Sequence, residues 1–156
     1  MIPFKKSEQG FTVIELLIVI AVVIILGLLV WAGYGGIQAK ERNKERAKDI
    51  AAIQTQLEFF FQNNGYYPSL KDMNDPAWLN KNMKHLDKGN LVDPLNPRGS
   101  KELISSPAAK SYAYAVRNSS GKSCEADDTT CSQYKLTATY EGNVNGSTTV
   151  SEINQD

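Results

Sequence analysis

The sequence predicts an α+β protein in which one long N-terminal helix packs against a small antiparallel sheet of three to four strands. Three observations predict it. From Leu16 to Ile37 there is no charged residue, a stretch long enough for a helix that crosses a bilayer. Apolar residues then recur at helical spacing between Ala47 and Phe61. Beyond Ser111 the pattern changes to strict alternation, the signature of half-buried strands. The 156 residues, 42% hydrophobic and 22% charged, leave room for one small domain once the apolar segment is set apart. A two-domain catalyst with its own cofactor domain does not fit in that remainder.

Residues 1–10 are short and polar, with Lys5, Lys6 and Glu8 ahead of the apolar run. At about 1.5 Å per residue, the uncharged stretch spans roughly 33 Å as a helix, close to the roughly 30 Å hydrocarbon core of a bilayer. Residues 11–39 therefore read as a single transmembrane helix. Lys40, Arg42, Lys44, Arg46 and Lys48 follow it, so a count of flanking cations leaves the orientation ambiguous. A secretion signal would carry its small-residue cleavage site after the apolar region. Ala32-Gly33 and Gly35-Gly36 imitate such a site, but Glu15 argues against that reading. A carboxylate costs about 2.5 to 3.5 kcal/mol at the bilayer centre on insertion scales, and less near the interface, so Glu15 needs a partner or a shallow position.

Gly10-Phe11-Thr12-Val13-Ile14-Glu15-Leu16-Leu17-Ile18-Val19-Ile20 resembles the class III signal of type IV prepilins and of the related pseudopilins of type II secretion and competence systems. The resemblance implies a membrane peptidase that cuts after Gly10 and methylates the new amine of Phe11, keeping the apolar helix. It implies that Glu15 neutralises the amino terminus of a neighbouring subunit and so sets registry during filament growth. Charge burial argues the same way, because an amine and a carboxylate in a low-dielectric environment are each costly unless paired. Pilins commonly carry a helix-breaking Pro in the anchor, whereas this chain has none between Pro3 and Pro68. The glycines at 33 to 36 are where a filament helix would unwind, or where anchors would pack closely through small residues.

Residues 40–64 continue the helix, with Ala47, Ile50, Ile53 or Gln54, Leu57 and Phe60 or Phe61 on one stripe. The charges from Lys40 to Asp49 read as a solvated face with weak pairs three residues apart. Asn64-Gly65 ends the helix, and residues 65–110 form a loop region with a short helix near 76–87. Asp75-Pro76 starts that helix, Trp78, Leu79, Met83 and Leu86 give it an apolar face, and Lys88-Gly89 ends it. Trp78 reads as an anchor packed on the long helix. His85, the only His, lacks companions for a metal cluster or a nucleophile and base pair. Asp93-Pro94-Leu95-Asn96-Pro97 is a rigid turn whose Asp93 accepts backbone hydrogen bonds; a calcium site there lacks the necessary series of oxygen ligands.

Residues 111–150 hold the sheet: Tyr112, Tyr114 and Val116 alternate in one strand, and Tyr134, Leu136, Ala138 and Tyr140 in another. Asn145-Gly146 marks a hairpin into a third, and residues 151–156 read as a loose tail. Cys124 and Cys131 bracket an acidic loop and predict a disulfide, which places this domain outside the cytoplasm. A zinc or redox-active pair is the alternative, weakened by the absence of Cys-x-x-Cys spacing. No phosphate loop, His-Glu metal motif or nucleophile elbow occurs, so neither catalysis nor a cofactor is expected.

The resemblance as a whole implies a type IV pilin-like fold and a structural subunit, major or minor, of a type IV pilus, or a pseudopilin of a type II secretion or competence system. Its implied partners are other subunits through the N-terminal helix, the prepilin peptidase/N-methyltransferase and an inner-membrane assembly platform. The implied location is the cytoplasmic membrane, by one N-terminal helix with the domain outside, and an extracellular filament after assembly. A minor pilin for DNA uptake or adhesion and a membrane-tethered binding domain are further readings. Charge disfavours DNA: 17 Lys+Arg face 17 Asp+Glu, so a nucleic-acid footprint would have to be local.

Overall fold

The computed structural model describes residues 10–96 and 102–154, with side chains at 32–34 excepted. The expected leader therefore lies outside the described residues apart from Gly10, as does Pro97. The chain divides into two compact units, Met1–Gln38 and Ala39–Asp156. Helix α1, Val13–Asn64, contributes to both.

In the first unit α1 opens with a reciprocal cap. The Thr12 hydroxyl accepts the Glu15 backbone N–H at 3.3 Å, while the Glu15 carboxylate accepts the Thr12 N–H at 2.8 Å and its hydroxyl at 2.7 Å. Two N–H groups that a helix start leaves without partners are thereby satisfied. The apolar residues that follow find no cover: Phe11 is 88% exposed, Trp31 85%, and the Val, Ile and Leu side chains between them are all exposed. Among the described residues α1 is the one helix long and apolar enough to cross a membrane.

The second unit has a core. Ile50, Ile53, Leu57 and Phe60 of α1 are buried, and their alternating spacing of three and four residues keeps them on one helix face. They pack with the inner face of a three-stranded antiparallel sheet, β1 Tyr112–Asn118, β2 Cys131–Val144 and β3 Ser147–Ile153, in the order β1-β2-β3. The register pairs Tyr114 with Leu136 and Ala138 with Val150. Tyr112, Tyr114, Val116, Tyr134, Leu136 and Ala138 consequently all point into the core. Asn145 and Gly146, with φ of 52° and 86°, form the β2–β3 turn, both in the positive-φ geometry that matches strand twist.

Between helix and sheet, Gly65 at φ 79° ends α1, its N–H donating to the Phe61 carbonyl at 2.7 Å. Helix α2, Leu70–Asn74, is held by a capping box of Ser69 and Asp72. Helix α3, Pro76–Asn82, starts on the Asp75 side chain, which accepts from the N–H groups of Ala77 and Trp78. Trp78 is half-buried with its ring 5.3 Å from that of Phe60.

Three expectations need correction. The helix foreseen over 76–87 stops at Asn82; Leu86 is buried without being helical, and Lys88–Leu91 forms a turn of 3₁₀ helix capped by Asp87. Ser151, Glu152 and Ile153, foreseen as loose, pair with Thr137, Leu136 and Lys135. Finally, Asn43, Arg46 and Asp49, foreseen as part of a solvated face, are buried. The core stripe simply continues towards the N-terminus, four and seven residues back from Ile50.

Candidate functional site

The residues implied in processing and assembly lie together at the start of the first unit. Gly10 is exposed, and a side chain added there would meet nothing within 4 Å. The described residues thus leave the space around Gly10 open. Phe11 projects into open space, and Glu15 sits one helical turn on, held by Thr12. That geometry places the carboxylate at the positive end of the helix dipole, where an anion is favoured. Thr12 was not singled out from the sequence, although Thr-x-x-Glu before an apolar run is a recognisable capping signal.

Cys124 and Cys131 form a disulfide with Cα atoms 6.0 Å apart. Asp128 approaches both sulfurs, but the sulfurs are committed to each other. Asp128 is engaged as well, because its carboxylate accepts the Thr130 N–H at 2.9 Å and hydroxyl at 2.6 Å, bonds that hold its pKa below the usual carboxylate value. A metal reading of this trio accordingly lacks donors. His85 is exposed.

A buried ionic network is the feature that sequence reasoning missed. The Arg46 guanidinium donates through Nε to Asp93 Oδ2 at 2.6 Å and through Nη2 to Asp93 Oδ1 at 3.0 Å. Its Nη1 reaches Asn43 Oδ1 at 2.8 Å and Glu141 Oε1 at 2.7 Å. Glu141 also takes a two-pronged contact from Arg42, at 2.7 and 2.6 Å, while the Asn43 amide exchanges two hydrogen bonds with the Glu141 backbone at 3.0 and 2.9 Å. One helix turn thus grips the Asp93 loop and the far end of β2 together. Burial by itself lowers the Arg46 pKa, but the hydrogen bonds with Asp93 and Glu141 outweigh it and hold the group above its ordinary value. Arg42, helped by Arg46, holds the Glu141 carboxyl down at about 2. Nearby, Asp49 accepts the Tyr112 hydroxyl at 2.7 Å; burial nevertheless raises its pKa. The network is a structural clamp, and its residues carry no nucleophile or general base aimed at a cleft.

Comparison with known proteins finds similarity at the level of sequence. Residues 5–31 match the prokaryotic N-terminal methylation motif. The type II secretion system core protein G of Aeromonas hydrophila is 27% identical over 109 residues, covering 66% of this chain and 76% of that protein. The proteins of the same name from Dickeya chrysanthemi and Klebsiella michiganensis are 29% and 31% identical over 65 residues, which is 42% of this chain in each case. Those two alignments span 42% and 46% of the relatives' own lengths. No solved structure matches the chain. The methylation motif at the start of α1, the similarity to secretion core proteins and one long helix backed by a three-stranded sheet together make the chain similar to the prepilin and pseudopilin family.

Proposed function

We propose that the chain is a pseudopilin-type structural subunit of a type II secretion system, assembled into a filament through its N-terminal helix after cleavage between Gly10 and Phe11. The carrying observation is the uncovered apolar surface from Phe11 to Trp31, attached to a domain that is fully packed on its own. A contiguous apolar surface of that size needs lipid or other copies around it. Before assembly, lipid covers it and the second unit stands outside the cytoplasm, where the Cys124–Cys131 disulfide persists. During assembly each anchor leaves lipid for neighbouring anchors. Apolar area gains little in that exchange, because lipid tails are as apolar as the helices, so polar pairing and close packing decide it. Glu15 and the freed amine of Phe11 are the polar groups available at that depth. The peptidase/N-methyltransferase supplies the amine, and the inner-membrane platform drives extraction.

All three relatives carry a type II secretion name, which favours that system over a type IV pilus shaft, the second reading. The test is intact-mass measurement of the chain from its own cells together with microscopy of secretion filaments. The expected mass corresponds to a chain beginning at N-methylated Phe11, with the chain found along the filament. A chain that retains residues 1–10, or that is cut after Ala32-Gly33, overturns the reading.

A further inference from the structure

The second unit carries two hollows of opposite charge on different sides of its sheet. One, of about 760 Å³, lies beside β1 and is lined by Asp75, Glu102 and Glu125 with Lys71 as the one cation among its lining residues. It sits on that flank because Ile104 and Ser123 bridge to Ala113 and Arg117 of β1, carrying Glu102 and Glu125 with them. Asp75 is occupied in capping α3. The other hollow, of about 490 Å³, lies on the outer sheet face and reaches the end of β3; Arg117, Lys135 and Ile153 line it, without a carboxylate. Among the described residues, Glu102, Glu125, Arg117 and Lys135 enter no ion pair.

The two edges of the sheet differ in the same sense. The β1 edge is covered by the bridges at Ile104 and Ser123, whereas β3 is the last strand on its side. β3 contains neither Lys nor Pro, and its one charged residue, Glu152, stands opposite Leu136 of β2. Ile153 at its end is 60% exposed. An open strand edge, an exposed aliphatic side chain and two unpaired cations form one continuous surface, and its charge complement is present on the same chain.

We propose that these surfaces dock on each other between successive copies of the chain, with Lys135 and Arg117 of one subunit facing Glu125 and Glu102 of the next. Two different surfaces on one chain make a heterologous contact, which repeats without closing and so generates a linear or helical series rather than a dimer. The inference rests on the filament reading and assigns that filament a contact between domains, separate from the packing of anchors. Charge pairs at the rim of an interface act chiefly by setting register and by penalising wrong neighbours, since like charges brought together are strongly disfavoured.

The test is a charge-swap series in cells that assemble the chain, scored as filament yield per subunit expressed, with the unfolding temperature of the purified full chain in detergent as a control. Lys135→Glu with Arg117→Glu is expected to lower yield by about fivefold or more with the unfolding temperature unchanged, and Glu125→Lys with Glu102→Lys to do the same. Combining the four changes is expected to restore yield. Carbodiimide treatment of wild-type filaments is expected to join Lys135 to Glu125 or Glu102 between isotopically light and heavy subunits. Wild-type yield from either pair alone, or no recovery on combination, overturns this contact while leaving the filament reading intact. The absence of any polymer from the wild type overturns both. Salt-sensitive binding of a short DNA duplex to the full chain, abolished by the Lys135 and Arg117 changes, with filament yield unaffected, assigns the basic face to nucleic acid and overturns the contact as well.

Discussion

Arg46→Met isolates the energetic weight of the clamp. Both partners are essentially inaccessible, with side-chain exposures of 1% for Arg46 and 0% for Asp93. Met fills most of the volume of the Arg stem but donates nothing. Among the described residues the Asp93 carboxylate would then keep only the Leu95 N–H at 2.8 Å, too little to offset a buried negative charge. Removing one member of a buried ion pair costs about 3 to 5 kcal/mol, most of it the penalty on the stranded partner. The loss extends further, because Asn43 Oδ1 and Glu141 Oε1 each lose a donor. Glu141 retains Arg42, so the Asp93 side of the network dominates the cost. The assay is equilibrium urea unfolding of the full chain in detergent micelles, followed by the near-ultraviolet circular dichroism of the core tyrosines. Asp93→Asn added to Arg46→Met removes the stranded charge while keeping an acceptor for Leu95. The double variant is therefore expected to be more stable than Arg46→Met alone, with a coupling on the order of 2 kcal/mol. A loss below about 1 kcal/mol in the single variant, or a double variant less stable than the single one, refutes the reasoning.

Acid sensitivity follows from Glu141, whose folded pKa of about 2 lies below its unfolded value. A depressed carboxylate contributes stability above the unfolded pKa and loses it as protons bind to the folded form. Stability should thus fall as pH drops from about 4.5 towards about 2, and Glu141→Gln should flatten unfolding curves in that window. Asp49 has the opposite sign, since its raised pKa makes the folded state the better proton acceptor; Asp49→Asn is expected to be tolerated at neutral pH, in contrast to Tyr112→Phe, which strands the carboxylate. Leu57 is fully buried, and Leu57→Ala is expected to cost about 2 to 5 kcal/mol in the same urea assay. Reducing the Cys124–Cys131 bond, a sequence separation of 7, should remove about 2 kcal/mol on the chain-entropy account, read as a shift of the urea midpoint on adding dithiothreitol.

Much of this architecture was legible because the signals are local and periodic. Ile50, Ile53 and Leu57 announce a helix face, Tyr134, Leu136 and Ala138 a strand face, and Asn145-Gly146 the turn that joins β2 to β3. The Gly10-Phe11-Glu15 pattern was legible as a motif of chemistry rather than of packing. Arg46 was not legible, since a cation among alternating charges looks solvated until a buried carboxylate is known to face it. That carboxylate is 47 residues away in the chain, and no periodicity spans such a separation. The same limit applies to β3, where Ser151 and Glu152 carry no strand signal of their own and are held by pairing with Thr137 and Leu136.

The Thr12–Glu15 cap bears on what the proposed filament growth would have to accomplish. In the single chain Glu15 already has two donors, the N–H and hydroxyl of Thr12, so it is not an orphan charge waiting for a partner. In the proposed filament a neighbouring amine would therefore gain only the difference between its own pairing and what Thr12 provides. Charge-assisted hydrogen bonds are roughly twice as strong as neutral ones, so an ammonium would outcompete the hydroxyl or share the carboxylate with it. Sharing is geometrically natural, because a carboxylate offers about four acceptor positions and both Thr12 contacts fall on the single oxygen Oε2. Among the described residues Oε1 takes neither of these bonds, so in the proposed filament it is the oxygen that would receive the amine. The cap restrains the Glu15 side chain within the single chain, so on the proposed assembly less entropy would be lost when a neighbour's amine pairs with it.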